Sequence, residues 1–199
     1  MRTLLLGHLD ERAVARLGES LDAMDHQNRL FTVMSANKED MKKIWDLTKD
    51  QSVGLDHFVP SGTEPMKEVI HHGKNTLPAF THFQKRFCLP EAGTDEAWGY
   101  NENPDAMIWL IGPGYFVAHA TKDEKEPPSD FAVDYLRIPP KKPESWPEIR
   151  DNDGGFRKVV YGRMKDYMRR VSSHVSIGHA YREGESLGQY FMLCREDPS

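Results

Sequence analysis

The sequence predicts an α+β fold in which N-terminal helices precede a curved antiparallel sheet that closes on itself. Apolar residues recur at helical spacing over about the first 50 residues. Further along, short apolar and alternating runs are separated by turns rich in glycine and proline. We therefore expect a single domain over 1–199, with a helical part at 1–50 and a β part at 51–199; 199 residues are enough to bury a core.

Two helices are predicted in the N-terminal part, each by a cap followed by a buried stripe. Asp10 and Asn37 are the expected N-caps, and two acids, Glu39 and Asp40, would lie in the first turn of the second helix. The apolar stripes are Val14, Leu17, Leu21 and Met24 in the first helix, and Met41, Ile44 and Trp45 in the second.

Strands are predicted in the β part, starting with "KEVIHH" and "FAVDYLRI". "DAMIWLIGPGYFVAHA" is two apolar runs joined by Gly-Pro-Gly, and "VSIGHAYREGESLGQYFMLCRE" is a hairpin. "KVVYGRM" indicates a short turn or helix, and a Pro-rich surface loop follows residue 138. The segment 78–88 fits a helix slightly better than a strand, because Phe80, Phe83 and Phe87 lie at i, i+3 and i+7.

Composition narrows the class of protein. Charged residues make up 29% and hydrophobic residues 38% of the chain, as in globular proteins. The net charge of −5 makes a nucleic-acid partner unexpected. Two cysteines cannot form a disulfide framework, and neither a signal peptide nor a membrane span is recognised, so we expect a cytoplasmic protein without a membrane partner.

The C-terminal segment carries a family resemblance. "YGRMKDYMRRVSSHVSIGHAYREGESLGQYFMLCRE" resembles the closing segment of lipocalin-like bacterial proteins of the GXWXG type, which end with an Asp-x-x-Arg-x-Val step, a Gly-containing strand and a final Leu-x-Arg. The matching residues are Asp166, Arg169, Val171, Gly178, Leu193 and Arg195. The chain has no Gly-x-Trp-x-Gly, so the resemblance implies a lipocalin-like (calycin) β-barrel and transfers no activity. A cone-shaped NTF2-like fold is the alternative.

Three ionisable side chains lie on otherwise mostly apolar strand faces. His119 shares a face with Tyr115 and Val117, and Asp134 lies on the face that carries leucine and isoleucine. His179 follows Val175 and Ile177 on another face. If these faces line a barrel, the two histidines and Asp134 point into one cavity, where an imidazole–carboxylate pair is a general acid/base.

The leading hypothesis is a cofactor-independent enzyme of lyase or isomerase type that performs dehydration, decarboxylation or cyclisation on a small organic substrate. The expected catalytic residues are His119, Asp134, His179 and Tyr181. The expected substrate-binding residues are Tyr115, Trp109, Phe116, His72, Lys74, Arg86 and Tyr190.

Two other hypotheses remain open. The same cavity would suit a binding protein for a hydrophobic small molecule such as a lipid, pigment or haem. A solidly packed barrel would instead indicate a structural or interaction protein; a homodimer is possible in each case. No metal is expected, because adjacent His71 and His72 point to opposite sides of a strand. No cofactor is expected either, because "IGPGYF" matches no nucleotide-binding loop.

Overall fold

The structure, a computed structural model, is a closed β-barrel in which eight strands and four short helices have defined bounds among the described residues. It describes residues 11–78, 81–103, 112–152, 154–155, 158 and 160–197. Each strand pairs with the next one antiparallel, and β1 pairs with β8 to close the ring. The predicted α+β barrel is confirmed; the sheet is closed rather than an open cone.

The elements follow one another with the helices first. The helices are α1 (Glu11–Asp22), α2 (His26–Met34), α3 (Lys38–Leu47) and α4 (Leu55–Phe58). The strands are β1 (Val69–Asn75), β2 (His82–Cys88), β3 (Glu96–Glu102), β4 (Phe116–Ala120), β5 (Phe131–Asp134), β6 (Met164–Arg170), β7 (Val175–Arg182) and β8 (Glu185–Arg195).

Both predicted helices are present, as α1 and α3. In α3, Asn37 accepts hydrogen bonds from the backbone N–H groups of Glu39 and Asp40, and Asp40 accepts one from the Asn37 N–H. This is a complete capping box. The intervening α2 and the single turn α4 were not predicted. Asp25 caps α2, whose buried side chains include an arginine, Arg29, so the apolar period is weak there.

The strand predictions are confirmed for β1, β4, β5 and the β7–β8 hairpin. The helical interpretation of 78–88 is wrong: His82–Cys88 is β2, and its hydrogen bonds go to β1 and β3. The turn or helix expected in "KVVYGRM" ends at Met164, which starts β6. The apolar run at 105–111 lies outside the described residues.

One end of the barrel is filled by aromatic rings. Phe58 from α4 stacks on Phe131, with ring centroids 4.9 Å apart and planes 12° apart, and lies 5.2 Å from the ring of Phe87. Phe87 in turn contacts Phe116 at 5.2 Å. All four rings are almost completely buried, so α4 plugs the barrel at this end.

Three inward-facing glycines let large rings lie flat against the barrel wall. A Cβ on Gly178 would come within 2.1 Å of the Phe191 ring directly across the strand pair. The same pairing of glycine and phenylalanine occurs at Gly73 with Phe83 and at Gly99 with Phe116. The rings shield the glycine backbone and fill the space that a side chain would occupy.

Helices α1, α2 and α3 cover the outer face of the barrel at β6, β7 and β8. Gly18 permits close contact, since a Cβ there would lie 2.5 Å from the Val171 carbonyl oxygen. Arg169 on β6 holds α3: its guanidinium lies 3.8 Å from the Trp45 ring centroid and donates a hydrogen bond to the Trp45 carbonyl at 2.6 Å. Within the described part of the chain, no helix is long and apolar enough to cross a membrane.

Replacing the aromatic plug is expected to destabilise the barrel. F58A removes a fully buried ring from a stack and leaves a cavity, which should lower the free energy of unfolding by about 3–5 kcal/mol. Urea unfolding followed by tryptophan fluorescence measures the change. F31A, at a ring that is 61% exposed on α2, is the control and should change it by less than about 0.5 kcal/mol. Equal losses of unfolding free energy in F58A and F31A would contradict the role of Phe58 as a plug.

A buried histidine near the plug makes the fold acid-sensitive. The Nε2 of His71 lies 2.9 Å from the Phe58 carbonyl oxygen, and burial lowers the pKa of His71 to about 3. The unfolded chain therefore binds a proton below about pH 6.5 that the folded chain does not, so stability falls as the pH drops from about 6.5 towards 3.

Removing this titration should flatten the pH dependence of stability. H71Q keeps a polar side chain opposite Phe58 but does not titrate, so the stability lost between pH 6 and pH 4 should shrink by about 2 kcal/mol. Urea titrations at both pH values measure this loss. H82Q, at an exposed histidine of β2, should lose as much stability between pH 6 and pH 4 as the wild type. If H71Q also lost as much as the wild type, His71 would not be the source of this acid sensitivity.

Candidate functional site

The structure places the predicted acid–base residues on the outside of the barrel. Phe131, Val133 and Tyr135 of the β5 region belong to the interior core, so the alternating Ala132 and Asp134 face outwards. The expectation that His119, Asp134 and His179 share an interior cavity is therefore wrong. Both faces of these strands are apolar, because helices and the loop after β5 cover the outer one, and an apolar face does not by itself identify the interior.

His119 and Asp134 are neighbours, as expected, in a surface network. The His119 Nε2 lies 3.5 Å from an Asp134 carboxylate oxygen, and the interaction with this carboxylate raises the pKa of His119. Lys165 lies 3.4 Å from the same carboxylate, which also accepts a hydrogen bond from the Leu136 N–H at 2.8 Å. Asp134 thus caps the turn after β5 and lies within ion-pair distance of Lys165 and the His119 ring.

His179 lies far from this pair. The register runs from His119 through Ala132 and Tyr167 to His179, three strand spacings or about 14 Å. Its ring stacks on Tyr190 at 4.2 Å, and its Nε2 lies 2.8 Å from the Ser186 hydroxyl. Burial under α3 lowers the pKa of His179 to about 4, so it is neutral at pH 7.

The other predicted residues are scattered over the barrel. Tyr181 lines an outer groove of about 490 Å³, where Lys165 pairs with Glu124 at 2.8 Å and Arg163 with Glu183 at 2.6 Å. The remaining residues form other contacts or lie outside the described part. Tyr115 donates a hydrogen bond to the Pro147 carbonyl, and Phe116 is in the interior core. His72 pairs with Glu196 and Arg86 with Glu68. Lys74 is half-buried on β1, and Trp109 is not among the described residues.

A cavity of about 200 Å³ opens at the end of the barrel opposite the Phe58 plug. Its walls are mainly apolar or aromatic, and its polar residues come from β1, β2, β3, β6, β8 and the connections at this end. It is lined by Asn75, Leu77, Phe83, Lys85, Asn101, Asn103, Tyr135, Val160, Tyr161, Met164, Asp166, Ala180, Gln189, Tyr190 and Phe191. Of the predicted site residues that the structure describes, Tyr190 is the one that reaches it. We call this space the mouth cavity.

Four polar side chains meet at the mouth cavity. Lys85 donates from Nζ to an Asp166 carboxylate oxygen and to the Asn101 amide oxygen, both at 3.0 Å, and to the Tyr135 hydroxyl. The Asn101 amide nitrogen donates to the Tyr135 hydroxyl at 2.9 Å, and that hydroxyl lies 3.2 Å from the Asp166 oxygen. Lys85, Asn101, Tyr135 and Asp166 form what we call the interior polar cluster.

The interior polar cluster is buried but electrically balanced. Lys85 is 2% exposed and Asp166 3% exposed, so the ammonium and the carboxylate neutralise each other inside the barrel. Burial lowers the pKa of Lys85, although the Asp166 charge opposes this. Burial and the Asp166 charge raise the pKa of Tyr135 well above its usual value. The site therefore combines a lysine that releases its proton more readily with a phenol whose resting form is protonated.

The second tyrosine of the mouth cavity lies above the cluster. Tyr161 stacks on Tyr135, with centroids 5.3 Å apart, and accepts a hydrogen bond from Asn103 at 3.2 Å. Gly114, with φ of 57°, makes room for this ring, because a Cβ there would lie 2.5 Å from it. Burial raises the pKa of Tyr161 to about 12.

The strand interpretation of 78–88 would have indicated that Lys85 is a site residue. It places Phe83, Lys85 and Phe87 on one face, so a cation lies between two rings. Asp166 between Met164 and Met168 is the matching acid on β6. Pairing these two strands' charges requires the barrel to be closed, which no local pattern indicates.

Comparison of the chain with protein-family models, with curated proteins and with solved structures gave no match. The resemblance of the tail to GXWXG-type proteins therefore stays a prediction. Among the residues that the structure describes, no group of three histidine, cysteine or acidic side chains is placed to hold a metal ion.

Replacing one partner of the buried ion pair should lower the free energy of unfolding more than replacing both partners. D166L leaves the Lys85 charge without its counter-ion and should lower the free energy of unfolding by about 3–5 kcal/mol, whereas K85M/D166L should recover most of this loss. Guanidinium unfolding of the single and double variants measures both. D46A, which breaks the exposed Lys42–Asp46 pair, should show no measurable loss. A double variant no more stable than D166L would contradict the coupling.

Proposed function

We propose that this chain is a cofactor-independent enzyme of lyase or isomerase type that transfers protons on a small organic molecule in the mouth cavity. The observation that carries the proposal is the interior polar cluster beside an apolar-walled cavity. Proton-transfer groups at the edge of a largely dry cavity are stronger catalysts than the same groups in water. In this proposal Lys85 and Asp166 take the acid–base roles expected of His119, His179 and Asp134, and Tyr135 takes the oxyanion role expected of Tyr181 or Tyr115.

The roles of the cluster residues follow from their hydrogen bonds. The Lys85–Asp166 pair is the base, because a single proton shared along a 3.0 Å contact leaves either an amine or a carboxylate free to accept another. Tyr135 is the hydrogen-bond donor to developing oxyanion charge, since its raised pKa keeps the hydroxyl protonated. Asn101 is a positioning residue that holds both Lys85 and Tyr135.

Binding of a hydrophobic small molecule without turnover is the second candidate. Leu77, Phe83 and Phe191 give the mouth cavity an apolar side that suits such a ligand. Its volume of about 200 Å³ lies below the range of about 300–1,000 Å³ for drug-sized ligands. This size favours a ligand much smaller than haem.

The base-induced ring opening of 5-nitrobenzisoxazole tests the proposal. The reaction needs a base and no cofactor, and its coloured product is followed by absorbance. We expect a rate above buffer, and A180L, which fills the mouth cavity from its wall, should lower that excess rate at least about tenfold.

A matched variant distinguishes the effect of filling the cavity from the effect of adding a leucine at the surface. A120L places the same side chain at an exposed position of β4 and should leave the excess rate unchanged. Thermal unfolding establishes that A180L is folded at the assay temperature. A wild-type rate in A180L, or no rate above buffer in the wild type, would refute the enzyme; ligand-dependent stabilisation alone would favour the binding protein.

A further inference from the structure

We propose that the mouth cavity takes a small aldehyde or ketone and that Lys85 binds it covalently as an imine. This inference rests on the proposed function and names its substrate class. The observation behind it is the position of Lys85, which lines the mouth cavity. Its Nζ contacts two side chains that can hydrogen-bond to a carbonyl oxygen, Tyr135 and Asn101.

The cluster provides what imine formation requires of a lysine. The attacking group is the uncharged amine, so the ammonium must first lose a proton to a nearby base. Asp166 is that base at 3.0 Å. Burial makes the charged amine less favourable, against the opposing attraction of the Asp166 charge and of the Phe116 and Phe191 ring faces. Buried lysines of this kind are the ones that proteins use for Schiff bases.

The proton transfers balance within the cluster. Lys85 gives one proton to Asp166, and its nitrogen lone pair forms a bond to the carbonyl carbon while the carbonyl π electrons move to oxygen. That oxygen takes the Tyr135 proton, and Asp166 returns its proton to Tyr135 across the 3.2 Å contact. The nitrogen then gives a second proton to Asp166. The nitrogen lone pair then forms the C=N bond as the C–O bond breaks. The leaving oxygen keeps the C–O electrons, takes that proton by way of Tyr135 and departs as water, and the product is a protonated imine.

The charge of the buried site is the same before and after the reaction. A protonated imine replaces the ammonium beside the Asp166 carboxylate, so the ion pair persists and no uncompensated charge is left inside the barrel. The protonated imine withdraws electrons from the carbon next to the C=N carbon, and this weakens the other bonds of that neighbouring carbon. This connects imine formation to a lyase or isomerase reaction.

The walls define the rest of the substrate. The apolar side chains that face the cluster include Phe83, Met164 and Phe191, and the cluster itself carries no net charge. A neutral, compact and partly apolar carbonyl compound fits this environment, whereas a carboxylate or a phosphate would add an uncompensated charge.

Reductive trapping tests the inference on the full chain without mutation. The protein is incubated with benzaldehyde and sodium cyanoborohydride, and peptide mass spectrometry quantifies benzylation at each lysine. Lys74, half-buried on the neighbouring β1, is the internal control. The ratio of Lys85 to Lys74 labelling should be at least about tenfold higher in the folded chain than in urea, where both lysines are ordinary amines.

Further measurements separate this inference from the function on which it rests. Benzyl alcohol, which fits the same space but forms no imine, should slow labelling at Lys85 and leave Lys74 unaffected. Y135F, which removes the proton donor, should slow Lys85 labelling several-fold. A lower Lys85 to Lys74 ratio in the folded chain than in urea would overturn the inference. The proposed function would survive that result if A180L still lowered the excess rate of ring opening at least about tenfold, and both would fail if it did not.

Discussion

The hydrogen bonds between β1 and β8 close the sheet, and this closure determines what every inward side chain can do. A barrel of eight strands has an interior just wide enough for side chains, so each inward residue must pack against others or border a cavity. At the α4 end, Phe58 and three further rings complete the packing. At the other end the interior contains the polar cluster and the mouth cavity.

The interior polar cluster is the feature of this barrel that packing does not explain. An apolar pair of similar size would fill the space without the desolvation that Lys85 and Asp166 incur. The cluster instead satisfies its polar atoms among four side chains and places them beside open space. A buried, mutually hydrogen-bonded group of ionisable side chains that borders a cavity is typical of functional sites. The network of His119, Asp134 and Lys165 lies on the outside of the barrel and does not border the mouth cavity.

Local patterns in the sequence predicted the fold better than the site. The capping box of α3 and the β7–β8 hairpin depend on neighbouring residues, so their signals are present in short stretches. The direction of each strand face depends on what covers the outside. Because α3 and the region around Trp146 bury the outer face, His179 and Tyr115 lie on faces as apolar as the interior. The Lys85–Asp166 contact joins residues 81 positions apart and exists only once the ring is closed.

The pairing of β8 with β1 also fixes the order in which a ribosome-bound chain can fold. β8 follows every other element in the chain, yet β1, α2 and α3 all pack against it. During synthesis the helices therefore leave the ribosome long before their docking surface is complete, and their apolar stripes stay exposed to water and to chaperones. Barrel closure and helix docking therefore wait until β8 has left the ribosome, so they are late, concerted events rather than stepwise growth from the N-terminus.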